Sequence, residues 1–248
     1  MYQIIITILF AIFSQASLSD TSIQSEPNTT TNFSTYEANY EATWKAGWFP
    51  ITVDATRKLS KTEDGLWQLT FEAYSSIADL HEESQYSIEK NTVKPHHYRY
   101  KTSGFLSKKR RAQTFDWEKQ QVWVPERDEW ANYELTLGIQ DNLSYQEQIR
   151  LDLIAGKSEF KYDVAYKNRL KQYEFKVAKL GQTETKQGPI NTVEVIQEKE
   201  NSKESTRIWF AVDYEYLLIK LETKQKNGDS NTISLKSATI GKQTIQGF

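Results

Sequence analysis

Residues 36–44, Tyr36-Glu37-Ala38-Asn39-Tyr40-Glu41-Ala42-Thr43-Trp44, decide the fold class. Apolar side chains occupy every second position of this stretch, and polar side chains occupy the positions between them. Because successive side chains of a β-strand point to opposite faces, the alternation predicts a strand with one buried side and one solvent-facing side. Three of the five apolar positions are aromatic, which suits a half-buried, pleated surface.

The same period-two pattern recurs along most of the chain. The further runs lie at 51–56, 67–73, 84–88, 96–102, 111–117, 121–124, 160–166, 172–179, 191–197, 206–212, 216–222 and 231–237. Turn signals such as Asp64-Gly65 and Asn227-Gly228 separate several of these runs. We therefore predict a mainly β domain, an antiparallel and partly closed barrel or strongly curved sheet of about eleven strands.

One segment, residues 141–156, breaks the alternation. Its apolar side chains at the i, i+4, i+8 spacing of a helix face are Tyr145, Ile149 and Leu153. Ser144 and Glu147 have the spacing of a capping box, and Gly156 stands where a helix would end. The pattern predicts one central amphipathic helix that covers the apolar face of the sheet as a plug or lid.

Composition narrows the function classes. The chain has 248 residues and a net charge of -2, and this balance argues against a nucleic-acid partner, which favours a basic face. It has no cysteine, which excludes disulfides, thiolate metal sites, a cysteine nucleophile and a lipid-modified cysteine. We expect no cofactor.

The N-terminus resembles an export signal. Residues 4–13 are almost continuously apolar but too short to span a bilayer, and small polar residues follow them. The alternatives are an uncleaved anchor or a buried strand. We predict a signal peptide at residues 1–19, a disordered linker at 20–34 and a single antiparallel β domain at 35–248, exported to the periplasm and soluble after cleavage.

No pattern of residues predicts catalysis or a metal site. His96 and His97 are adjacent on a predicted strand and point to opposite faces, so they cannot share one metal without a bulge. The carboxylates around His81 could hold a cation, although a solvated acidic loop explains them as well. No nucleophile elbow, HExxH motif or phosphate-binding glycine loop occurs, and we expect a protein that is not an enzyme.

A compact basic run lies between two predicted strands, at Lys108-Lys109-Arg110-Arg111. It is typical of a solvated hairpin loop. The alternative is transient contact with a membrane surface, where each basic residue near anionic headgroups contributes roughly 1 kcal/mol.

Bulky aromatic side chains on the strands suggest a binding cavity. If the rings only fill the core, they carry no function; if the curved sheet does not close tightly, they line an apolar cavity under the helix. The expected lining residues are Tyr40, Trp44, Trp67, Phe71, Tyr145, Ile149, Leu153, Tyr162 and Trp209.

Two function classes follow from this reasoning. The first is a carrier or sensor that binds a lipid or lipoprotein acyl chain in the cavity, with the helix moving aside as the chain enters. The second is a non-enzymatic structural or adaptor protein of the cell envelope that binds other proteins through a sheet edge or exposed aromatic residues.

Several short motifs, taken in order, resemble a family of exported bacterial envelope proteins known as domain of unknown function 3108. They are Tyr36-Glu37-Ala38-Asn39-Tyr40, Lys94-Pro95-His96-His97-Tyr98-Arg99-Tyr100, Phe115-Asp116-Trp117, Asp141-Asn142-Leu143-Ser144-Tyr145-Gln146 and Arg207-Ile208-Trp209-Phe210-Ala211. The likeness spans about residues 36–240. Val212 and Leu218 stand where the family usually shows proline, which relaxes the turns there.

The last third of the chain is also similar, more weakly, to periplasmic carriers and sensors of lipoproteins. That resemblance implies a half-closed antiparallel barrel around an apolar cavity with a helical lid, and it implies binding of an apolar ligand by analogy of fold. It assigns no catalytic residue.

Overall fold

A computed structural model of the chain describes residues 33–46, 49–75, 78–104, 109–198 and 204–248. The predicted signal peptide and nearly all of the predicted linker lie outside these ranges. Phe33 and Ser34, at the end of the predicted linker, pack against the β domain: Phe33 is buried, and Ser34 donates two hydrogen bonds to the carboxylate of Glu215.

The described residues form fifteen β-strands, one α-helix and two short 3₁₀ turns. The strands are β1 Tyr36–Ala46, β2 Phe49–Lys61, β3 Trp67–Tyr74, β4 Ala78–Glu89, β5 Thr92–Gly104, β6 Arg110–Asp116, β7 Gln121–Val124, β8 Glu129–Trp130, β9 Glu159–Tyr166, β10 Arg169–Thr185, β11 Gly188–Glu198, β12 Ser205–Ala211, β13 Leu217–Lys224, β14 Ser230–Ile240 and β15 Gln243–Gln246. The helix α1 spans Ser144–Ile154, and the 3₁₀ turns span Pro125–Arg127 and Val212–Tyr214.

The predicted count of about eleven strands is too low. Two of the strands that the pattern does not predict, β8 and β15, have two and four residues, which are too few to show an alternation. The mainly β, antiparallel character of the prediction is confirmed, because every named strand pair is antiparallel.

All fifteen strands belong to one sheet built from two meanders. Strands β1 to β8 pair in sequence order, as do β9 to β14, and β1 joins β14 in the middle of the sheet. The short β15 pairs with β14 outside this path. Since α1 lies between β8 and β9 in the sequence, the helix connects the two ends of the sheet.

The sheet does not close by strand pairing among the described residues. Its terminal strands are β8 and β9, and the one backbone bridge beside β9 joins Gln140 to Val164. We call the gap between β9 and the β5–β8 side of the sheet the seam. The fold is therefore an open, barrel-like sheet.

The core lies on the inner face of this curved sheet. In β3, residues from Trp67 to Ala73 alternate between buried and partly exposed, as the pleat requires, and most other strands repeat the pattern. The buried set includes large rings and aliphatic side chains from both meanders in one continuous cluster. Burial of this surface is the main favourable contribution to folding.

The central helix is present as predicted, but the prediction that it is amphipathic is wrong. Every residue from Ser144 to Leu153 is buried, including the charged Glu147, Arg150 and Asp152. The polar face of α1 therefore contacts protein rather than water. The helix has 11 residues, and no helix of the described ranges is long and apolar enough to cross a bilayer.

Reciprocal hydrogen bonds with the i, i+3 pattern of a capping box lie in the turn that leads into the helix, but not at the residues that the spacing predicts. The Asp141 Oδ1 atom accepts hydrogen bonds from the backbone N–H groups of Leu143 at 2.8 Å and Ser144 at 2.7 Å. In return the Ser144 hydroxyl oxygen accepts the Asp141 N–H at 2.8 Å. The reciprocal pair is thus Asp141 and Ser144, three residues before the predicted Ser144 and Glu147, because the Glu147 carboxylate binds two arginines instead.

Candidate functional site

The structure separates the nine predicted lining residues into buried and half-buried groups. The buried ones are Tyr40, Trp67, Phe71, Tyr145, Ile149, Leu153 and Tyr162, and the half-buried ones are Trp44 and Trp209. Trp209 lies with the charged side chains of Arg207 and Lys220 against its ring, at 5.4 and 4.9 Å, while its neighbours Ile208 and Phe210 are fully buried. It therefore faces away from the interior.

The predicted residues of the first meander lie in other parts of the core. The Tyr40 hydroxyl donates to the backbone oxygen of Leu218 at 2.7 Å. The Trp67 ring packs edge-on against Phe33, and the Lys61 ammonium lies 4.0 Å from the Trp67 ring centre. These contacts do not place Tyr40 or Trp67 beside the other predicted rings of α1 and β9.

Two of the predicted residues, Tyr145 and Tyr162, belong to one group of packed rings that we call the aromatic cluster: Tyr145, Phe160, Tyr162, Tyr173 and Phe175. Tyr145 of α1 stacks on Phe175 at 5.7 Å and meets Tyr173 edge-on at 5.4 Å. Phe160 and Tyr162 of β9 stack at 6.4 Å, and Tyr162 lies 6.3 Å from Phe175. The cluster joins the helix to the terminal strand of the sheet and its neighbour.

The cluster has one strongly polar boundary. The Tyr162 hydroxyl donates to the Asp152 carboxylate at 2.7 Å, and Lys157 bonds the other oxygen of that carboxylate at 2.7 Å. Burial and the adjacent negative charge of Asp152 raise the pKa of Tyr162 well above its ordinary value, so its hydroxyl remains a donor at physiological pH.

Two cavities adjoin the aromatic cluster. A groove of about 520 Å³ is lined by Glu159, Phe160, Lys161, Glu174, Phe175, Lys176 and Ile196. A smaller cavity of about 200 Å³ is lined by Thr92, Gly138, Gln148, Asp152, Lys157, Glu159, Phe160, Lys161 and Tyr162. Phe160 lines both cavities, so this member of the aromatic cluster borders two open spaces.

Side chains rather than a strand ladder hold the seam beside this smaller cavity. Gln148 of α1 accepts the N–H of Val93 at 2.7 Å and donates to the backbone oxygen of Asn91 at 3.3 Å. The Gln140 side chain donates to the oxygen of Val93 at 2.9 Å, while its backbone bonds to Asp163 and Ala165 of β9. Two glutamines thus connect β5 to the helix and to β9.

A buried ionic network, which we call the arginine–glutamate network, holds the helix from within. The Glu147 carboxylate lies 3.0 Å from Arg57 of β2 and 2.6 Å from Arg150, and these three side chains are at most 5% exposed. Arg57 also donates to the Tyr36 hydroxyl at 2.8 Å and to the Gln146 side chain at 2.6 Å. Two cations share one anion, so the network carries a net charge of +1.

The remaining donors of Arg150 are also satisfied. Its Nε and Nη2 atoms donate to the backbone oxygen of Glu215 at 3.1 and 2.9 Å, and its guanidinium lies 4.4 Å from the Phe33 ring centre. Burial alone would raise the pKa of Glu147, but the charges of Arg150 and Arg57 hold it below its ordinary value. The helix is therefore tied to β2 and to the turn before β13.

Sequence reasoning did not identify this network, although one signal points to it. In β2 the buried positions are Val53, Ala55, Arg57 and Leu59, so the alternation itself places an arginine on the inner face. A charged residue in the buried phase of a strand requires a partner, because charged groups are almost never fully buried unless they are paired.

A second polar group lies near the start of the helix. The Asp141 carboxylate accepts the Ser84 hydroxyl at 2.6 Å, and the Glu82 carboxylate accepts the Tyr98 hydroxyl at 2.6 Å. Burial raises the pKa of Asp141 to about 6 and that of Glu82 to about 7. Both pKa values are raised because the loss of solvation outweighs the hydrogen bonds to each carboxylate, and no cation among the described residues forms an ion pair with either group.

The histidines do not form a metal site. His81 bonds the Glu72 carboxylate at 2.8 Å, and His96 bonds the Ser87 hydroxyl at 3.0 Å. No group of three or more potential metal ligands occurs among the described residues. In the basic run, Lys108 lies outside the described residues, Lys109 and Arg110 are exposed, and Arg111 is half-buried.

A solved structure has a similar fold. The chain resembles a β-barrel-like protein of domain of unknown function DUF1849 from Brucella abortus, with a TM-score of 0.56 and 9% identity over 84% of this chain and 98% of that one. It also matches a putative outer membrane lipoprotein-sorting protein domain from Vibrio parahaemolyticus, with a TM-score of 0.23 and 12% identity over 85% and 86% of the two chains. The first likeness supports the barrel-like fold.

No curated protein matches the chain. The sequence profile of the family described as "Protein of unknown function (DUF3108)" matches residues 36–236, which is most of the chain and includes α1 and both meanders. This confirms the resemblance drawn from the short motifs. The chain is a member of the DUF3108 family.

Proposed function

We propose that this protein is an exported, non-enzymatic periplasmic binding protein that carries or senses a lipid or lipoprotein acyl chain, and that the aromatic cluster is its binding site. The observation that carries this proposal is the position of the cluster. Five packed rings lie between α1 and the terminal strand β9, next to the seam, where the sheet lacks a strand ladder. Ligand sites are commonly concave, largely apolar and placed where elements can part.

α1 is attached to β2 on one side and to β9 and β10 on the other, and the weaker attachment to β9 and β10 favours opening there. Removing one partner of a buried ion pair typically costs about 3–5 kcal/mol, and one such pair, Arg57–Glu147, joins α1 to β2, whereas Arg150–Glu147 lies within the helix. On the other side, the ring contacts of Tyr145 and one hydrogen bond, from the Tyr162 hydroxyl to the Asp152 carboxylate, hold α1 to β9 and β10. A hydrogen bond to a charged group contributes about 1.5–3 kcal/mol, which is less than the loss of a buried ion-pair partner. In this mechanism α1 stays in place while β9 and β10 move away from it.

An acyl chain entering there would replace ring–ring contacts by ring–methylene contacts. Each methylene transferred from water contributes roughly 0.8 kcal/mol, which corresponds to about fourfold in affinity. The affinity for straight-chain fatty acids should therefore rise about fourfold per added methylene until the opened space is full. Native mass spectrometry and competition with a fluorescent fatty acid, over the series from octanoate to palmitate, measure this slope.

Opening of the seam can be measured separately because the chain has no cysteine. Spin labels on Lys90→Cys in the β4–β5 turn and Lys161→Cys in β9 report the distance across the seam, since both side chains are exposed. We expect this distance to increase with palmitate, while a control pair on Lys58→Cys and Lys242→Cys does not change. Absence of fatty-acid binding, or binding that is independent of chain length, would refute the proposed function.

A further inference from the structure

A separate cavity of about 240 Å³ lies at the β6 end of the seam, and we call it the basic cavity. Its polar lining comes from four places in the chain: Arg110, Arg111 and Gln113 of β6, Arg127 of the first 3₁₀ turn, Asn142 before α1, and Lys167 of the β9–β10 turn. Tyr98 of β5 pairs with Gln113 across the strands and lines the cavity as well. Arg110 and Arg111, which belong to the basic run of the sequence, thus meet residues that this run does not predict.

The cavity concentrates positive charge. Four cationic side chains, Arg110, Arg111, Arg127 and Lys167, face one carboxylate in the lining, that of Glu126, which leaves a balance of three positive charges. Arg127 is paired with Glu129 outside the cavity. Within the part of the chain that the structure describes, Arg110, Arg111 and Lys167 form no ion pair. A cleft lined by one sign of charge focuses the field on an oppositely charged ligand.

Arg111 is held in place without losing its charge. Its guanidinium lies between the rings of Tyr100 and Tyr166, at 5.1 and 5.0 Å from their centres. Aromatic faces attract a cation but do not neutralise it, so the guanidinium donors stay available. The half-buried Glu82 carboxylate accepts the Tyr98 hydroxyl and interacts with the charge of Arg111, but it forms no ion pair with it.

Gln113 supplies an independent sign of a ligand. Its side chain is 3% exposed, its Nε2 donates to the backbone oxygen of Lys167 at 3.2 Å, and its Oε1 atom has no hydrogen-bond partner. A buried acceptor without a donor costs about 1–3 kcal/mol, so native proteins rarely leave one. The cavity is therefore lined by cations that require an anion and by Gln113, whose buried carbonyl oxygen has no donor within the described protein.

The start of the helix does not supply donors to a ligand in the basic cavity. The backbone N–H groups of Leu143 and Ser144, which lie there, donate to the Asp141 carboxylate. Recognition in the basic cavity thus depends on side chains. Guanidinium groups match phosphoryl oxygens in geometry and charge better than other side chains do.

We propose that the basic cavity binds a phosphorylated polyol, with the phosphoryl group on Arg110, Arg111 and Lys167 and a neighbouring hydroxyl donating to the Gln113 oxygen. Glycerol phosphate has this chemistry, either as a free molecule or as the headgroup of phosphatidylglycerol. The site is distinct from the aromatic cluster and requires no acyl chain, so it can exist whether or not the cluster binds one.

The first experiment uses the water-soluble ligand. Isothermal titration calorimetry of the full chain with sn-glycerol 3-phosphate should show saturable binding, and Arg110→Gln with Lys167→Gln should weaken it by about tenfold or more. The matched control, Lys186→Gln with Lys226→Gln, removes two exposed lysines in turns far along the chain and should change nothing. Gln113→Leu should weaken glycerol phosphate more than sulfate, because the polyol offers a hydroxyl to the lost oxygen and the sulfate dianion has no hydroxyl.

The second experiment tests the lipid source. Sedimentation with phosphatidylcholine vesicles, with and without phosphatidylglycerol, should show binding to the anionic vesicles that the Arg110 and Lys167 double variant loses and the control variant keeps. Binding in the soluble assay supports a free ligand, and binding only to these vesicles supports a headgroup. If neither ligand binds, or if the two double variants behave alike in both assays, the proposal is overturned.

Discussion

Replacing Glu147 by glutamine tests whether the arginine–glutamate network anchors the central helix. The substitution preserves shape but removes the one negative charge between two guanidiniums, in a place where the Glu147 side chain is 0% exposed and that of Arg150 is 1% exposed. Leaving buried cations without a counter-ion costs about 3–5 kcal/mol. For a domain of this size that loss corresponds to about 6–20 °C in Tm.

The assay is urea unfolding of wild-type and variant protein, followed by tryptophan fluorescence, across a pH series. The pKa of Glu147 is lowered in the folded state, so the stability that its carboxylate contributes is present above the ordinary value of 4.5 and is lost as pH falls through the lowered pKa. The difference between wild type and Glu147→Gln should accordingly be largest near neutral pH and shrink in acid.

Two controls separate this reasoning from a general effect of losing a charge. Glu37→Gln breaks an exposed contact with Lys58 at 3.6 Å and should not change stability measurably. The triple variant Arg57→Met, Glu147→Leu, Arg150→Met removes all three charges and should recover most of the lost stability, because no unpaired ion remains. A Glu147→Gln protein as stable as wild type at pH 7, or a difference that grows on acidification, would refute the network as an anchor.

Three further substitutions give sharp expectations. Asp141→Ala removes the acceptor of two helix N–H groups and of the Ser84 hydroxyl and should cost about 2–4 kcal/mol, whereas Asp141→Asn should cost less because it still caps; thermal unfolding decides. Gly247→Ala places a Cβ 1.8 Å from the backbone oxygen of Leu235 and should destabilise by about 1–3 kcal/mol, while Gly181→Ala, whose Cβ meets nothing closer than 3.6 Å, should be silent in the same assay. Loss of solvation raises the pKa of Glu82 to about 7, so the stability that its protonated carboxyl contributes is present below pH 4.5 and is lost as pH rises toward 7. Glu82→Gln should abolish this loss of stability, and urea unfolding with an unchanged pH dependence would contradict the prediction.

The strands were predictable because period two is a direct consequence of backbone geometry. Residues 36–44 form the inner and outer faces of β1 as the alternation indicates, and the DUF3108 motifs identify the family from the same residues. The helix was predictable in place, but its burial was not. A pattern of apolar residues on one face says nothing about whether the polar face meets water or a buried arginine of another strand.

The functional residues were harder to predict because they depend on contacts between distant segments. Gln140 and Gln148 have no feature that marks them in the sequence, yet both bond to Val93 across the seam. Gln113 likewise becomes informative only when its burial and its unpaired oxygen are known. The aromatic residues were recognised as a class but were not sorted by face. Trp209 alternates with the buried Ile208 and Phe210, so the pattern itself places it on the outer face. The position of Tyr162 in the cluster depends on contacts with rings of other elements, which alternation does not show.

Different kinds of interaction hold the two sides of α1, and this difference links the fold to the proposed function. On one side, Glu147 is the carboxylate that pairs with the buried Arg57 of β2, so the helix cannot leave β2 without leaving that arginine unpaired or exposed. On the other side, Tyr145 meets Phe175 and Tyr173 through contacts that are non-directional and that an acyl chain can replace. Under the proposed function, we therefore expect the terminal strand rather than the helix to move, with the Tyr162–Asp152 hydrogen bond as the polar contact that must break. The buried polar residues that contradict the prediction of an amphipathic lid are the reason for this expectation.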